Sequence, residues 1–529
     1  MLRAAVAGIG LGALGGAAYG ADRMLSGGSP AARTAARPTR LAHRPLRSTE
    51  VSDRTLPSGV VVRSAAWVEE ENARNGTSAW FLGAPTHLLG FADRTSATEG
   101  DTVTLYVDSP SAPFHMEAYR MGWYGGRGGR LVWRSATVAP TPQPPHQLVP
   151  GSNMVQCPWT PSLTVAVTNQ WPPGLYLLKL VAPGAQGYVP LCVRDDASTA
   201  AYVVMSAVTT WQAYNTYGGY SLYTSPSGAA GRSRAVSFDR PYVHPYVEND
   251  FFGNELPLVL LAERYGLDVT YITSIDLHQR VQDLAHHRCL FSLGHDEYWS
   301  STMRFGTQQA VTGGLNVGFL GANACYRHIR LQPSPLGPDR QQVCYKDRFM
   351  TEDPMWGKDP AAVTANWPDG PDPRPEQALV GQQYSDVAGN ADVVVADPSA
   401  WLWQGTGVHA GQHLPKALQG EYDHYEPGLS PPTNVQIVAH SPVLNRGPGR
   451  VSDMTYYTES GGGGVFASGN AAFVAELSDA PLIQAAQPAP VAGVTPVFLR
   501  MMDNILSVFG AGPASATHPS VPNWQQFYS

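Results

Sequence analysis

The segment FSLGHDEYWSSTMR, residues 291–304, places a histidine, two carboxylates and two aromatic side chains next to one another. A short apolar run that ends in a glycine comes directly before His295, Asp296 and Glu297. A histidine and a glutamate two residues apart suit a metal ligand and a proton-transfer partner. A surface loop has no need of such a cluster and an apolar core cannot easily satisfy it, so it is the first candidate for a functional site.

The flanking sequence predicts where this cluster lies. RCLFSLG before it is typical of a buried strand, and SSTMRFGTQQAVTGG after it predicts a helix that ends at Gly313. The cluster then sits at the carboxyl end of a parallel strand, where open α/β sheets bind ligands. The turn itself contains neither Ser nor Cys, and no G-x-S-x-G occurs in the chain. A thiol amidotransferase mechanism with Cys325 is a weaker alternative, because that cysteine follows a different strand.

Two hydrophobic patterns divide the rest of the chain. From residue 57 to 197, apolar residues alternate with period two between Gly, Pro and Asn breaks, which predicts an immunoglobulin-like β-sandwich. From 198 to 512, apolar strands alternate with helical segments such as NELPLVLLAERYG, with Asn254 as its expected N-cap and Gly266 as its stop. This alternation predicts a doubly wound, flavodoxin-like (class I amidotransferase-like) α/β domain. The Pro- and Asp-rich residues 332–400 are expected to form long loops.

The ends of the chain carry no such pattern. Residues 1–21 have one arginine, a Gly- and Ala-rich apolar run and small residues after it, and are expected to be a signal peptide or an uncleaved anchor. Residues 22–56 are expected to be a linker, and 513–529 a C-terminal tail. We therefore expect an exported protein, secreted or attached to the cell envelope. The net charge of −7 and the absence of a basic stripe argue against nucleic acid as a partner.

The five cysteines bear on the prediction of export, because an exported protein can form disulfides. Cys157–Cys192 and Cys325–Cys344 are the expected pairs, since each pair lies within one predicted domain. Cys289 lies in an apolar strand and is expected to be a buried free thiol. The alternative is that all five are reduced core residues.

Two further groups of side chains are weaker candidates for a functional site. The segment TTWQAYNTYGGYSLYTSPSG, residues 209–228, has a tyrosine at every third position across part of its length, but two glycines argue against a continuous helix. Its simplest interpretation is an aromatic loop packed over the edge of the sheet. His409 and His413 are four residues apart, but they lie in a Gly-rich stretch and make a poor zinc site.

Several segments in combination resemble a known family. TWQAYN, GGYSLY, VSFDRPY, LGHDEYW and LGANACY resemble the large (beta) subunit of N,N-dimethylformamidase and its bacterial relatives, over about residues 200–512. YRMGWYGGRGG resembles the sandwich domain that precedes the α/β domain in these relatives. The resemblance implies a mononuclear ferric ion (Fe³⁺) held by two tyrosines and one glutamate, with an essential histidine two residues before the glutamate.

Carried onto this sequence, the resemblance makes Glu297 the glutamate and His295 the histidine. The tyrosine of WQAYN is Tyr214. The second tyrosine ligand is expected to be Tyr223, with Tyr220 as the next choice.

The implied chemistry is coherent on physical grounds. Two phenolates and a carboxylate are hard oxygen donors that would neutralise a ferric ion, which would act as a Lewis acid on an amide carbonyl and on water. His295 would carry a proton from the water to the leaving amine. Asn323 in LGAN matches an asparagine near the family's site. Asp296 either orients His295 or caps the following helix, and the cap is favoured.

The expected function is therefore the hydrolysis of amide C–N bonds, with a small-molecule amide as substrate. The alternative is a non-catalytic exported protein that binds an envelope polymer. An intact set of Tyr214, Tyr223, His295 and Glu297 favours the enzyme, because a degenerate site would be expected to lose a member. The small subunit of the family enzyme is not encoded in this chain, so the substrate stays open. A homo-oligomer and association with the cell envelope are also left open.

Overall fold

The structure is a computed structural model that describes residues 50–83, 86–243, 246–429, 431–478 and 490–528. The expected signal peptide or anchor, residues 1–21, lies outside the described residues, as does most of the linker. No helix in these described ranges has the length and apolar content needed to cross a membrane.

The first part of the chain is built almost entirely of strands, with one short helix, α1, at Ala66–Asn72. In chain order the strands are β1 Val51–Thr55, β2 Val61–Ala65, β3 Thr86–His87, β4 Leu89–Ala92, β5 Ser96–Thr98, β6 Thr102–Asp108, β7 His115–Met121, β8 Gly129–Arg134, β9 Gln147–Val149, β10 Met154–Gln156, β11 Leu163–Ala166, β12 Gly174–Ala182 and β13 Ala185–Arg194.

Two sheets of this region share one apolar core. One has the order β11-β6-β4, and the other has the order β3-β13-β12-β7-β8 with β5 beside β13. Their alternate residues face each other, so Leu105 of β6, Met116 of β7 and Leu178 of β12 are buried in the same cluster. The period-two pattern predicted strands in this region, because successive side chains of a strand point to opposite faces.

Helices and strands alternate after residue 200. The strands are β14 Tyr202–Ser206, β15 Ala235–Ser237, β16 Val269–Thr273, β17 Cys289–His295, β18 Tyr298–Ser300, β19 Asn316–Ala322, β20 Arg327–Ser334, β21 Gly337–Val343, β22 Gln383–Val394, β23 His413–His424, β24 Gln436–Pro442, β25 Val451–Thr458 and β26 Gly464–Ala467. The helices are α2 Val208–Tyr214, α3 Tyr246–Asn254, α4 Leu256–Arg264, α5 Ser274–Arg280, α6 Ser301–Thr312, α7 Gln377–Val380 and α8 Thr495–Ala511.

A seven-stranded sheet with the order β16-β14-β17-β19-β26-β25-β24 forms the centre of this region. The first five strands run parallel, and β25 and β24 are antiparallel to their neighbours. The chain is thus a mixed α/β protein with more strand than helix and several sheets. The helix predicted to end at Gly313 is confirmed, because Gly313 is the C-cap of α6.

Two local predictions were wrong. Asn254 does not cap α4 but is the last residue of α3, and α4 starts after Glu255 without a side-chain cap. The preceding aromatic and polar residues form a helix of their own, which the pattern did not predict. Residues 332–400 are not only loops, since they contain β21, α7 and all of β22.

A buried ion pair joins the two parts of the fold. Arg120 of β7 donates from Nη2 to Oε1 of Glu263 in α4 at 2.6 Å and from Nη1 to its Oε2 at 2.9 Å. Neither side chain has any exposed surface. Such a pair is costly to break, because one charge would be left buried without its partner. The described residues from 50 onwards accordingly pack as one compact unit.

Candidate metal centre

Two adjacent parallel strands bring the predicted residues to one edge of the central sheet. His295 ends β17 and pairs in register with Ala322, the last residue of β19. Glu297 and Asn323 therefore follow neighbouring strands at their carboxyl ends, as the strand–helix pattern predicted.

Glycine is required at the ends of both strands, where Gly294 meets the end of α3 and Gly321 meets Gly294. Gly294 has φ of 52°, and a Cβ on it would lie 2.4 Å from the Cβ of Asn254. A Cβ on Gly321, its partner across the sheet, would lie 1.6 Å from the carbonyl oxygen of Gly294. Neither position leaves room for a side chain. The close approach of neighbouring residues therefore explains the glycine in LGHDEYW and the glycine in LGAN.

The carboxylate of Glu297 is the centre of the site. Tyr223 donates its hydroxyl to Glu297 Oε2 at 2.7 Å and lies 2.8 Å from Oε1. Tyr214 donates to the same Oε2 at 2.9 Å. The two phenol rings are stacked with centroids 4.2 Å apart. The family resemblance implied one site for Tyr214, Tyr223 and Glu297, and the structure brings their oxygens together.

The backbone and one cation fix this carboxylate. The amide N–H of Glu297 donates to Thr210 Oγ1 of α2 at 3.0 Å, and its carbonyl accepts from the N–H of Arg327 at 2.8 Å. Arg327 also donates from Nε to Glu297 Oε1 at 2.8 Å. Because Arg327 holds Oε1, Oε2 is the oxygen that both tyrosines share.

Charge and burial set the protonation states around Glu297. Burial alone would raise the pKa of Glu297, but Arg327, Lys346 and His295 outweigh it and hold the pKa at about 2. Burial and the charge of Glu297 raise the pKa of Tyr214 and of Tyr223 well above their usual values. Without a cation, Glu297 is therefore ionised, and the phenols of Tyr214 and Tyr223 are neutral.

His295 lies between two carboxylates. Its Nε2 is 3.6 Å from Glu297 Oε2 and 3.0 Å from Glu421 Oε2. Burial lowers the pKa of His295, but Glu421 and Glu297 raise it to about 10. Asn323 donates from Nδ2 to Glu421 Oε2 at 2.9 Å, while its Oδ1 is buried with no hydrogen-bond partner in the described ranges. His295 also lies next to the tyrosines, since the ring centroids of Tyr214 and His295 are 5.1 Å apart.

A second set of side chains supports Tyr223. Tyr298 donates its hydroxyl to the Tyr223 hydroxyl at 2.7 Å, and Lys346 Nζ donates to the Tyr298 hydroxyl at 2.8 Å. Lys346 Nζ also lies 2.9 Å from the centroid of the Tyr223 ring. Burial, followed by the nearby charge of Arg327, lowers the pKa of Lys346 well below its usual value.

Asp296 plays neither of its two predicted roles. The N-cap of α6 is Ser300, whose Oγ accepts from the Met303 N–H at 3.2 Å. Asp296 instead accepts from Ser292 Oγ at 2.8 Å, and no hydrogen bond from it to His295 is present in the described structure. The favoured helix cap was wrong because the short strand β18 separates Asp296 from the helix.

The predicted disulfides are not formed. All five cysteines, Cys157, Cys192, Cys289, Cys325 and Cys344, are free and buried. The two members of each expected pair lie in different apolar clusters, so the fold does not bring their sulfur atoms together. Burial raises the pKa of every one of these thiols. The thiol of Cys325 is therefore also unsuited to act as a nucleophile.

The weaker sequence candidates lie away from the site. The carbonyl of Tyr220 accepts from Arg240 Nη1 at 2.9 Å, and no contact of its side chain with Glu297 occurs in the described part of the chain. His413 is exposed and pairs with Asp392 at 3.0 Å, whereas His409 contacts the carbonyl of its neighbour.

The sequence reasoning missed three charged residues of the site: Arg327, Lys346 and Glu421. Arg327 follows LGANACY directly and is the first residue of β20. Its short distance in sequence from the carboxyl end of β19 could have marked it as a candidate site residue. Lys346 and Glu421 come from distant segments, and nothing in their local sequence marks them.

The donor set fits a hard cation. In the described ranges no group of three or more His, Cys, Asp or Glu side chains is arranged to hold a metal ion. The oxygens of Tyr214, Tyr223 and Glu297 form a different kind of set, in which both hydroxyls lie within 2.9 Å of one carboxylate oxygen. Three buried oxygen donors suit a hard, highly charged ion better than copper or zinc.

Comparison with known proteins gives one informative result. No curated protein matches the chain. A solved structure of an uncharacterized protein from Bacillus anthracis str. Ames aligns with 20% of this chain and 82% of its own, at 14% identity and a TM-score of 0.13, which carries no argument about function. The family described as "N,N-dimethylformamidase beta subunit-like, C-terminal" matches residues 115–487. That match spans well over half of the chain, and the chain therefore belongs to the N,N-dimethylformamidase beta subunit-like family.

Proposed function

We propose that the chain is a hydrolase of amide C–N bonds that holds a mononuclear ferric ion on Tyr214, Tyr223 and Glu297. One observation carries the proposal: two tyrosine hydroxyls converge on a single buried carboxylate oxygen, with His295 Nε2 3.6 Å from the same atom. Membership in a dimethylformamidase-like family supports the reaction class.

A bound ferric ion would supply Lewis acidity toward an amide carbonyl and toward water. The residues of the chain have separate tasks around it. Tyr214 and Tyr223 would give up their hydroxyl protons to hold the ion, and Glu297 would contribute Oε2. Arg327 keeps the carboxylate in place through Oε1, so that the donor oxygen needs no reorganisation.

His295 is the proposed proton carrier. Burial lowers the pKa of His295 but Glu421 and Glu297 raise it, and the positive charge of a bound ferric ion would oppose that rise. The neutral Nε2 would then take a proton from the attacking water and give it to the nitrogen of the leaving amine. Glu421, 3.0 Å from Nε2, stabilises the imidazolium that forms, and Asn323 orients Glu421 through its amide N–H. In this arrangement the carboxylate of Glu421 orients His295, as a third group orients the base in other hydrolases.

Replacement of His295 tests this role. His295→Ala should keep the iron but lower amide turnover about 10²–10⁴-fold, the usual contribution of one acid–base group. The matched control is His287→Ala, since His287 lies before the amino end of β17 and donates from Nδ1 to the Ala200 carbonyl at 2.7 Å. Small formamides and acetamides, followed by larger amides, are the substrates to use. Full turnover in His295→Ala would contradict the mechanism.

We further propose finer features of the fold and cellular location. The two sheets before residue 200 are proposed to be an immunoglobulin-like sandwich, and the seven-stranded sheet to be flavodoxin-like. Export and a separate small subunit are also proposed, the latter because the family description names a beta subunit. If no amide is cleaved by the iron-loaded protein, the non-catalytic binding function becomes the better account.

A further inference from the structure

A second cavity lies on the opposite side of strand β20 from the metal centre. Successive side chains of a strand point to opposite faces, so Arg327 reaches Glu297 while the next residue, His328, points the other way. The cavity has a volume of about 160 Å³, and its lining includes Ser301, Phe305, His328, Asn366, Trp367 and Arg374. A buried cavity of ~150 Å³ can take a molecule of the size of benzene. The space therefore suits a group of about six heavy atoms.

Ser301 and His328 form a hydrogen-bonded pair in the wall of this cavity. Ser301 Oγ lies 2.9 Å from His328 Nε2, and His328 Nδ1 lies 2.9 Å from the carbonyl oxygen of Val363. A carbonyl only accepts, so Nδ1 carries the hydrogen, and Nε2 of the neutral ring accepts from the serine hydroxyl. Burial lowers the pKa of His328 to about 4, which keeps the ring neutral. The ring of Trp367, 4.1 Å away, fixes its plane.

The position of Ser301 provides hydrogen-bond donors for a developing negative charge. Ser301 is the first residue of the twelve-residue helix α6. The first N–H groups of a helix have no partner inside it, and here Ser300 Oγ occupies only the N–H of Met303. The N–H groups of Ser301 and Thr302 thus face the helix N-terminus, where partial positive charge favours an oxyanion.

The cavity also has an entrance and an unused donor. Pro360, Ala361 and Arg374 line it and are exposed, so it opens to solvent. The indole N–H of Trp367 is buried in the cavity lining and has no hydrogen-bond partner in the described part of the chain. An unsatisfied buried donor of this kind is costly unless a ligand oxygen or a water meets it.

We propose that Ser301 and His328 form a second hydrolytic site, specific for esters that carry a short acyl group and a good leaving group. Ser301 Oγ bonds to the ester carbonyl carbon as its proton moves to His328 Nε2, and the bond to the leaving oxygen breaks. The leaving alcohol departs with that proton. A water molecule then gives a proton to Nε2 and attacks the acyl group, which releases the carboxylic acid and restores the serine hydroxyl. Because the ring is a weak base, esters of acidic alcohols such as p-nitrophenol are the expected substrates.

The test combines covalent labelling with ester turnover. The full-length protein is treated with a fluorophosphonate, and the modified peptide is identified by mass spectrometry. We expect the adduct on Ser301, and hydrolysis of p-nitrophenyl acetate that Ser301→Ala abolishes. His328→Gln should slow hydrolysis about 10²–10⁴-fold, because it removes the base.

Two controls separate this site from the metal centre and from other serines. Ser385 also contacts a histidine, His424, at 2.5 Å, but it does not line this cavity, so Ser385→Ala should react like the wild type. Removal of metal with a chelator should leave both labelling and ester hydrolysis intact. The proposal is overturned by an adduct at another residue, by no adduct, or by ester turnover that survives Ser301→Ala. If that variant does not fold, the position of the adduct in the wild-type protein decides alone.

Discussion

Arg327 should stabilise the metal-free fold mainly through its contact with Glu297. Arg327 Nε lies 2.8 Å from Glu297 Oε1, and its Nη1 donates to Asp347 Oδ1 at 2.5 Å and to Asn366 Oδ1. Glu297 is fully buried, whereas the Asp347 side chain is 39% exposed and can turn to water. Removing one partner of a buried pair costs about 3–5 kcal/mol. Arg327→Met should therefore lower the free energy of unfolding of the metal-free protein by about that amount.

A double-mutant cycle isolates the pair. Glu297→Gln removes the buried charge, so Arg327→Met should cost much less in the Glu297→Gln background, with a coupling energy of about 2–4 kcal/mol. The free energies are measured by urea denaturation of chelator-treated protein. Arg330→Met is the matched control, because Arg330 lies on the same strand and pairs with Asp353 at 2.7 Å without touching Glu297.

The two cycles should differ clearly. Arg330→Met should also destabilise the protein, but its effect should add to that of Glu297→Gln within about 0.5 kcal/mol. If the Arg327 and Glu297 changes add in the same way, Arg327 does not hold the carboxylate through a buried contact. The proposed arrangement of the carboxylate would then be wrong.

Two further substitutions test other parts of the account. Tyr223→Phe should weaken iron binding and the visible absorption of the iron-loaded protein, whereas Tyr220→Phe should leave both unchanged; the reverse result would make Tyr220 the ligand. The pKa of Glu376 is raised to about 7 by burial, so the folded state holds a proton that the unfolded state releases above pH ~4.5. Stability should therefore fall by about 3 kcal/mol as the pH rises from 4.5 through 7, and Glu376→Gln should remove this slope in pH-dependent urea denaturation. An unchanged slope would show that Glu376 is ionised in the fold.

The position of the site could be predicted from sequence because it depends on local order along the chain. A buried strand, a short turn and a helix place the residues after β17 at the carboxyl edge of a parallel sheet. The position of His295 and Glu297 follows from that rule alone, whereas Asn323 came from the family resemblance, and the structure places it after the adjacent parallel strand β19. The tyrosines came from the family resemblance, since nothing in their spacing singles out Tyr214 and Tyr223.

The remaining parts depend on tertiary contacts that no local pattern encodes. Lys346 reaches the site from the segment after β21, and Glu421 from β23, whose partner β22 lay in a region predicted to be loops. The disulfide prediction failed for the same reason, because Cys157 and Cys192 pack in separate clusters. Asp296 failed as a helix cap because β18 intervenes between the turn and α6.

The iron content and visible spectrum of the purified protein test the central claim most directly. Two phenolates and a carboxylate at Tyr214, Tyr223 and Glu297 predict about one iron ion per chain, with a ferric–phenolate absorption band. Glu297→Ala should lose both the iron and the band without unfolding the sheet, because the residue lies beyond the end of β17, although the unpaired Arg327 lowers the free energy of unfolding. A colourless wild-type protein that contains stoichiometric zinc, or no metal at all, would contradict the proposed metal centre.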